Sequence, residues 1–233
     1  MTKVTWTNYR TSQETINACR QYETRFNFPQ TNGWTVHYQY NSPDVIRKNM
    51  KVMWSFGVSK EINFEEGIRK DNSSVKIYTW DPTPIALITV KKSPANVTHT
   101  AKAFDPSERP MNFYTTHHKK KCWSLENHDP ENLVDTMTVE TENMDTIVAR
   151  LGTNVDMIKA DIEGRWYELW HGMGKQNILP SFVTIEFEMY FNNIHIEISK
   201  LDEVVDWFKQ NNYNVYLNRK LTGPHVELCF YKQ

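Results

Sequence analysis

Hydrophobic and polar residues follow one another along this chain with two periods, and the period separates predicted strands from predicted helices. Compact apolar runs that end at glycine, proline or polar residues are typical of strands. These runs are KVMWSFGV (51–58), VKIYTWD (75–81), NVTHTAKAF (96–104), MTVET (137–141), VDMIKADIE (155–163), FVTIEFEM (182–189), YNVYLN (213–218) and HVELCFYK (225–232). Between them, apolar residues recur three and four positions apart and predict helices that begin near residues 63, 84, 144, 166 and 199.

Strands that alternate with helices are typical of parallel βαβ units. The last two runs are joined by only six residues, 219–224, which is too short for a crossover and suits a hairpin. Without the short MTVET run, the pattern predicts an α/β fold with a doubly wound, mostly parallel seven-stranded sheet. The last strand of that sheet is antiparallel to its neighbours.

The first 45 residues differ from the rest of the chain. An amphipathic helix is predicted from about residue 12 to 26 by the spacing of Ile16, Cys19, Tyr22 and Phe26. The segment that follows, FPQTNGWTVHYQYNSP, is polar and aromatic and predicts a loop or short hairpin. This segment either covers a functional site or is an N-terminal addition that takes no part in the site. We therefore divide the chain into an N-terminal helix and cap segment (1–45) and one larger domain (46–233) with a polar excursion (105–137).

Composition narrows the function classes. The 233 residues include 27 Lys and Arg against 28 Asp and Glu, a formal net charge of −1, so we expect no nucleic-acid partner. No run of about 18 apolar residues is present, and the first ten residues lack a signal-peptide core, so we expect no membrane partner. Three scattered cysteines, none in a CxxC pair, indicate a cytoplasmic protein. The oligomeric state is unknown from the sequence.

Two features at predicted strand ends suit a nucleoside ligand, because ligands of open α/β sheets bind beyond the carboxyl ends of the strands. Gly57 follows the first strand and lets a ligand approach the backbone. That turn lacks both GxGxxG and GxxxxGK[ST], which disfavours dinucleotides and nucleoside triphosphate hydrolysis. Asp81, 24 residues later, can accept hydrogen bonds from a ribose diol, or it simply begins an Asp-Pro turn.

The run VDMIKADIEG carries an unusual set of charges. Lys159, Asp161 and Glu163 alternate with apolar residues, which predicts that all three lie on one face of one strand. A central parallel strand is normally apolar on both faces, so this pattern favours a functional over a structural role. Glu186 and Glu188 repeat it on the next strand, where Glu186 could pair with Lys159.

The chain resembles the FkbM family of S-adenosylmethionine-dependent methyltransferases. The matching stretches are WSFGVSKEINFEEGI, YTWDPTP, VETENMDTIVARLGTNVDMIKADIEGRWYEL and LPSFVTIEFE, in order over most of residues 51–190. The resemblance implies the class I methyltransferase fold, a Rossmann-like sheet of seven strands with the last antiparallel. It also implies S-adenosylmethionine as the cofactor.

The resemblance implies a role for individual residues. The residues that would lie along the methionine and ribose of the cofactor are Ser55, Phe56, Gly57 and Val58. Asp81 would hold the ribose hydroxyls, Pro82 and Thr83 would lie near the adenine, and Phe104 could pack on it. Asp161 and Glu163 would stand where the methyl group meets the acceptor.

These inferences predict methyl transfer to a hydroxyl of a small molecule or glycan by in-line displacement. Asp161 or Glu163 would act as the base or orient the acceptor, with Lys159 holding the carboxylates. We assign no metal ligand, although Asp161, Glu163 and Glu188 offer the oxygen ligands that magnesium or calcium prefers. Two alternatives stay open. One is a non-catalytic binding protein that kept the fold, favoured by the glycine-poor first turn; the other is a nicotinamide-dependent oxidoreductase, which the terminal hairpin opposes.

Overall fold

The computed structural model describes residues 13–29, 33–37, 39–115, 123–125, 133–189, 194–221 and 223–232. Predictions for residues 1–12, and for residues 116–122 and 126–132 of the polar excursion, lie outside these ranges. The helices are α1 (Gln13–Glu23), α2 (Asp44–Asn49), α3 (Asn63–Asp71), α4 (Pro84–Lys92), α5 (Met144–Leu151), α6 (Trp166–Lys175) and α7 (Ile194–Gln210). Within the described residues, no helix has the length and apolar character needed to cross a membrane.

Thirteen strands are present in the described ranges. They are β1 (Trp34–His37), β2 (Tyr40–Pro43), β3 (Val52–Phe56), β4 (Lys76–Trp80), β5 (Thr98–Thr100), β6 (Ala103–Phe104), β7 (Met111–Thr115), β8 (Asp135–Val139), β9 (Thr141–Glu142), β10 (Met157–Ala160), β11 (Phe182–Glu188), β12 (Tyr213–Arg219) and β13 (His225–Lys232). Seven of them form the main sheet, and the other six form three two-stranded pairs, β1–β2, β6–β9 and β7–β8.

The main sheet has the order β12-β13-β11-β10-β3-β4-β5. Strand β13 is antiparallel to both of its neighbours, and every other pairing is parallel. This is the sheet of the class I methyltransferase fold, and the predicted fold class is confirmed. The short loop between β12 and β13 forces the antiparallel pairing, because it cannot return the chain to the starting edge.

Both faces of the central strands are covered. Successive side chains of a strand point to opposite faces, so Trp54 packs toward α5, α6 and α7, and Met53 packs toward α3 and the β1–β2 hairpin. In β10, Ile158 packs on the same face as Trp54, and Met157 packs on the same face as Met53. This double burial explains why β3 and β10 are apolar at nearly every position.

The N-terminal segment packs against the end of the chain. The Tyr22 hydroxyl donates to Asp202 on α7 at 2.9 Å. The backbone N–H of Asn41 donates to the Asn218 side chain on β12 at 2.7 Å. Trp34 lies in a group of aromatic rings with centroids 5.5–5.8 Å from its own, namely Phe182, Tyr216 and Tyr231. Helix α1 and the β1–β2 hairpin therefore complete the core on opposite faces of the sheet.

Two predicted strands are shorter than the sequence pattern indicates. The run NVTHTAKAF contributes only β5 to the main sheet, and β6 leaves it to pair with β9. Strand β10 ends at Ala160, so the prediction that Lys159, Asp161 and Glu163 share one strand face is wrong. Beyond Ala160 the chain turns, and Glu163 adopts a positive φ of 51°. The helix predicted from residue 199 begins earlier, at Ile194.

Candidate active site

A cavity of about 170 Å³ opens at the carboxyl ends of β3, β4 and β10, where ligands of open α/β sheets bind. Its walls come from the turns after these strands, from β6 and from the polar excursion. The lining residues are Phe56, Gly57, Ser59, Trp80, Asp81, Pro82, Thr83, Lys102, Ala103, Phe104, Phe113, Trp123, Leu125, Asp161, Ile162, Glu163 and Arg165. We call this space the aromatic cavity.

Gly57 lies where the turn after β3 packs against the residue that follows β10, Asp161. Its φ of +80° lies in the left-handed region, and a Cβ added there would stand 1.7 Å from the carbonyl oxygen of Asp161. The N–H of Gly57 donates to the carbonyl of Trp80 at 2.9 Å. The turn is therefore held between the ends of β4 and β10, and only glycine fits.

The side chain of Asp81 is buried beneath the same turn. One carboxylate oxygen accepts the backbone N–H groups of Val58 and Ser59, at 2.9 and 2.7 Å. The other accepts the N–H and the hydroxyl of Thr83, at 2.8 and 2.5 Å. A carboxylate offers about four acceptor positions, so this arrangement fills them all.

Aromatic rings form the floor and cover of the cavity. Phe56 stacks on Trp80 with centroids 4.6 Å apart, and Phe104 meets Phe56 edge-on at 5.9 Å. Phe113 and Trp123, from the polar excursion, lie nearly parallel at 6.3 Å. Sequence reasoning missed Trp80, Phe113 and Trp123 as site residues. Two of them lie in the excursion, whose place over the cavity no periodicity indicates.

Lys159 is buried in β10, on the same face as Ser55. Its ammonium donates to the Gly57 carbonyl and lies 4.0 Å from a carboxylate oxygen of Asp161. Its neighbour on β11 is Thr184. The expected pairing of Lys159 with Glu186 is therefore replaced by its contacts with Gly57 and Asp161. The Ser55 hydroxyl donates to Glu65, away from the aromatic cavity.

A second cavity of about 110 Å³ lies on the other side of the turn after β3, and we call it the polar cavity. It is lined by Gln39, Tyr40, Val58, Ser59, Lys60, Glu61, Phe64, Glu65, Lys159 and Asp161. Ser59 and Asp161 line both cavities. Of the predicted site residues, the aromatic cavity contains Phe56, Gly57, Asp81, Pro82, Thr83, Phe104, Asp161 and Glu163. The polar cavity contains Val58, Lys159 and Asp161, and Ser55 lines neither.

Burial and neighbouring charges set the pKa of the Asp161 carboxyl group. Burial, followed by the nearby charge of Glu186, raises the pKa of Asp161 to about 6, against the opposing charges of Lys159, His225 and Arg219. Burial also disfavours the charged form of Glu186. However, a hydrogen bond from His225 and the charges of His225, Arg219 and Lys159 hold the pKa of Glu186 below its ordinary value. Glu186 is therefore ionised while Asp161 titrates near neutrality.

Glu188 fixes the turn that carries Asp161 and Glu163. It is 1% exposed, and its two carboxylate oxygens accept the N–H groups of Glu163 and Gly164, each at 3.0 Å. The excursion meets the same turn, because the Ser124 hydroxyl donates to the Glu163 carbonyl at 2.8 Å. Glu188 thus determines the backbone position of Glu163 although it lines neither cavity.

Glu188→Gln is expected to destabilise the fold by about 1–3 kcal/mol, because an amide nitrogen would face one of the two backbone donors. The free energy of unfolding in urea measures this. Glu203→Gln is the matched control, since Glu203 accepts a hydrogen bond from the Tyr167 hydroxyl at the surface. Equal stability of the two variants would contradict the role of Glu188.

No protein-family model matches the sequence, and no curated protein matches it. Solved structures that resemble the chain include a candidate rRNA methylase of Clostridium thermocellum, 12% identical over 82% of this chain and 94% of the other, with a TM-score of 0.48. An O-methyltransferase from Bacillus cereus in complex with SAH is 7% identical over 95% of this chain and 92% of the other, with a TM-score of 0.47. The Methanococcus jannaschii fibrillarin pre-rRNA processing protein is 9% identical over 86% of this chain and 70% of the other, with a TM-score of 0.47. Likeness at this level says nothing about the ligand or reaction of this chain.

Proposed function

We propose that this protein is an S-adenosylmethionine-dependent methyltransferase that O-methylates a hydroxyl of a small molecule or glycan. One observation carries the proposal. An aromatic and a polar cavity meet at Ser59 and Asp161, at the carboxyl edge of a class I methyltransferase sheet. The FkbM resemblance of residues 51–190 supports the same conclusion.

The two cavities differ in a way that suits the two ends of this cofactor. A purine fits between the aromatic side chains of Phe104, Phe113 and Trp123, because stacking on a ring face is favourable for any base. The zwitterionic methionine end fits the polar cavity, where Lys60 and Glu61 offer both signs of charge. Each cavity alone lies well below the roughly 300 Å³ of a typical ligand site, and the two together approach it, so an extended ligand that occupies both is favoured.

The cofactor supplies a methyl group activated by its sulfonium, and the chain supplies position and proton transfer. Asp161 stands between the two cavities and accepts the proton of the acceptor hydroxyl. Lys159 holds Asp161 and the Gly57 carbonyl in place. The aromatic cover excludes water from the reacting groups, and the rigid turn after β3 keeps them aligned.

A second candidate is a non-catalytic protein that binds its ligand without transferring a methyl group. The observation that favours it is the carboxylate of Asp81, whose acceptor positions are filled by the protein itself. Such a protein would bind no adenosyl ligand.

Calorimetric titration with S-adenosylmethionine and S-adenosylhomocysteine, with NAD as the control, tests the proposal. Micromolar binding of the adenosyl ligands without binding of NAD would support it. Binding of NAD alone would favour an oxidoreductase, and no binding at all would favour the non-catalytic protein.

Phe113→Leu is expected to weaken S-adenosylhomocysteine binding about tenfold, since base–aromatic stacking contributes about 1–3 kcal/mol per base. The dissociation constant from the same titration measures this. Phe28→Leu is the matched control, because Phe28 is 50% exposed and lines neither cavity. An unchanged constant in Phe113→Leu would show that the purine does not stack there.

A further inference from the structure

The four hydrogen bonds of Asp81 connect two turns of the site. The local pair, to the N–H and hydroxyl of Thr83, forms a turn within the Asp-Pro-Thr segment itself. The distant pair reaches 22 and 23 residues back along the chain, to the backbone of Ser59 and Val58. Asp81 therefore links the end of β4 to the turn after β3.

The distant pair supports a strained backbone. Ser59 has a φ of +52°, a conformation that residues other than glycine rarely adopt. Its N–H and that of Val58 both point at one oxygen of Asp81. If the carboxylate turned toward a ribose diol, the buried N–H of Val58 and the partly buried N–H of Ser59 would lose their acceptor, and this loss would offset the hydrogen bonds gained.

We propose that Asp81 is a positioning residue that holds the turn at residues 57–59, and that the site binds the nucleoside through its base and not through its ribose hydroxyls. The proposal rests on the proposed function, because it concerns how the same cavity recognises an adenosyl ligand. The aromatic cavity supplies the base contact through Phe104, Phe113 and Trp123. Removal of a ribose hydroxyl then leaves no buried partner unsatisfied.

The test is a cycle of ligands and variants, with S-adenosylhomocysteine and its two analogues that each lack one ribose hydroxyl. The wild-type protein is expected to bind all three within about threefold of one another. Asp81→Asn is expected to weaken all three by the same factor. If one hydroxyl contributes about tenfold or more to wild-type binding, the binding mode through the base alone is overturned. If Asp81→Asn also abolishes that preference, Asp81 reads the ribose and its role as a positioning residue is overturned as well.

Two further variants separate positioning from a general loss of structure. Ser59→Gly relieves the positive φ, so it is expected to restore part of the affinity lost in Asp81→Asn; a residue that read the ribose would not be rescued. Asp156→Asn is the matched control, because one carboxylate oxygen of Asp156 likewise accepts two distant backbone N–H groups, those of Lys51 and Val52 at 2.7 and 2.9 Å, and Asp156 lines neither cavity. It is expected to keep wild-type affinity.

A measurement without ligand keeps this proposal distinct from the proposed function. Amide hydrogen exchange at Val58 and Ser59 is expected to accelerate about tenfold or more in Asp81→Asn and to stay unchanged in Asp156→Asn. Unchanged exchange in Asp81→Asn would overturn the positioning role. Failure of the wild-type protein to bind any adenosyl ligand would instead overturn the proposed function and, with it, the mode of nucleoside binding.

Discussion

Replacement of Gly57 by alanine is expected to lower the free energy of unfolding by about 3–5 kcal/mol and to abolish ligand binding. Two effects add at this position. The left-handed φ of +80° disfavours any side chain, and the new Cβ would collide with the Asp161 carbonyl 1.7 Å away. The backbone of β10 would have to move, and the wall shared by the two cavities would move with it.

Gly152 provides the matched control for this change. It has nearly the same φ, +77°, but no atom lies within 4 Å of a Cβ built on it. With ψ at −174° its backbone also disfavours a side chain, so Gly152→Ala is expected to cost about 1–3 kcal/mol, the conformational part alone. The difference between the free energies of unfolding of the two variants, measured in urea, gives the cost of the collision. Equal losses would mean that the turn after β3 is not closed against Asp161.

Asp161→Asn is expected to lower turnover by about 10²–10⁴-fold while S-adenosylhomocysteine still binds. The asparagine keeps the size of the side chain and cannot accept the proton of the acceptor. In the wild-type protein, Asp161 is neutral below a pKa of about 6 and ionised above it. Since only the ionised form accepts a proton, kcat/KM, which follows the pKa of the free protein, is expected to rise as the pH increases through about 6.

The control for this prediction is Asp145→Asn, which removes a surface carboxylate paired with Lys175 at 2.6 Å. Its turnover and pH profile are expected to match the wild type. Full turnover in Asp161→Asn would exclude Asp161 as the base. A wild-type profile that stays flat across this range would exclude the titration of Asp161 from the rate-determining step.

The main sheet could be predicted from the sequence because its strands have local signatures. The apolar run of β3, the terminal hairpin and Gly57 each depend on neighbours only a few residues away. The place of Asp81 directly after β4 was also enough to predict that it lines the cavity. Its partners could not be predicted, because the direction of the Val58 and Ser59 N–H groups depends on backbone angles of a turn 22 residues earlier.

The rest of the site depends on contacts between distant parts of the chain. Phe104 leaves the main sheet because β6 pairs with β9, nearly 40 residues later. Trp123 reaches the cavity through the excursion, which has no periodic pattern. Lys159 contacts the Gly57 carbonyl instead of Glu186, because the parallel register places Thr184 beside it. None of these pairings has a local signature.

The contact between the β1–β2 hairpin and β12 has a consequence for synthesis on the ribosome. Asn41 and Asn218 are 177 residues apart, so Asn41 is made long before its partner exists. At about 5–20 residues per second, the wait lasts roughly 10–35 s. Trp34 remains exposed to water during this time, because the rings that pack around it are synthesised later. We expect the nascent chain to bind chaperones through this segment and to complete its core only after β12 and β13 have left the exit tunnel.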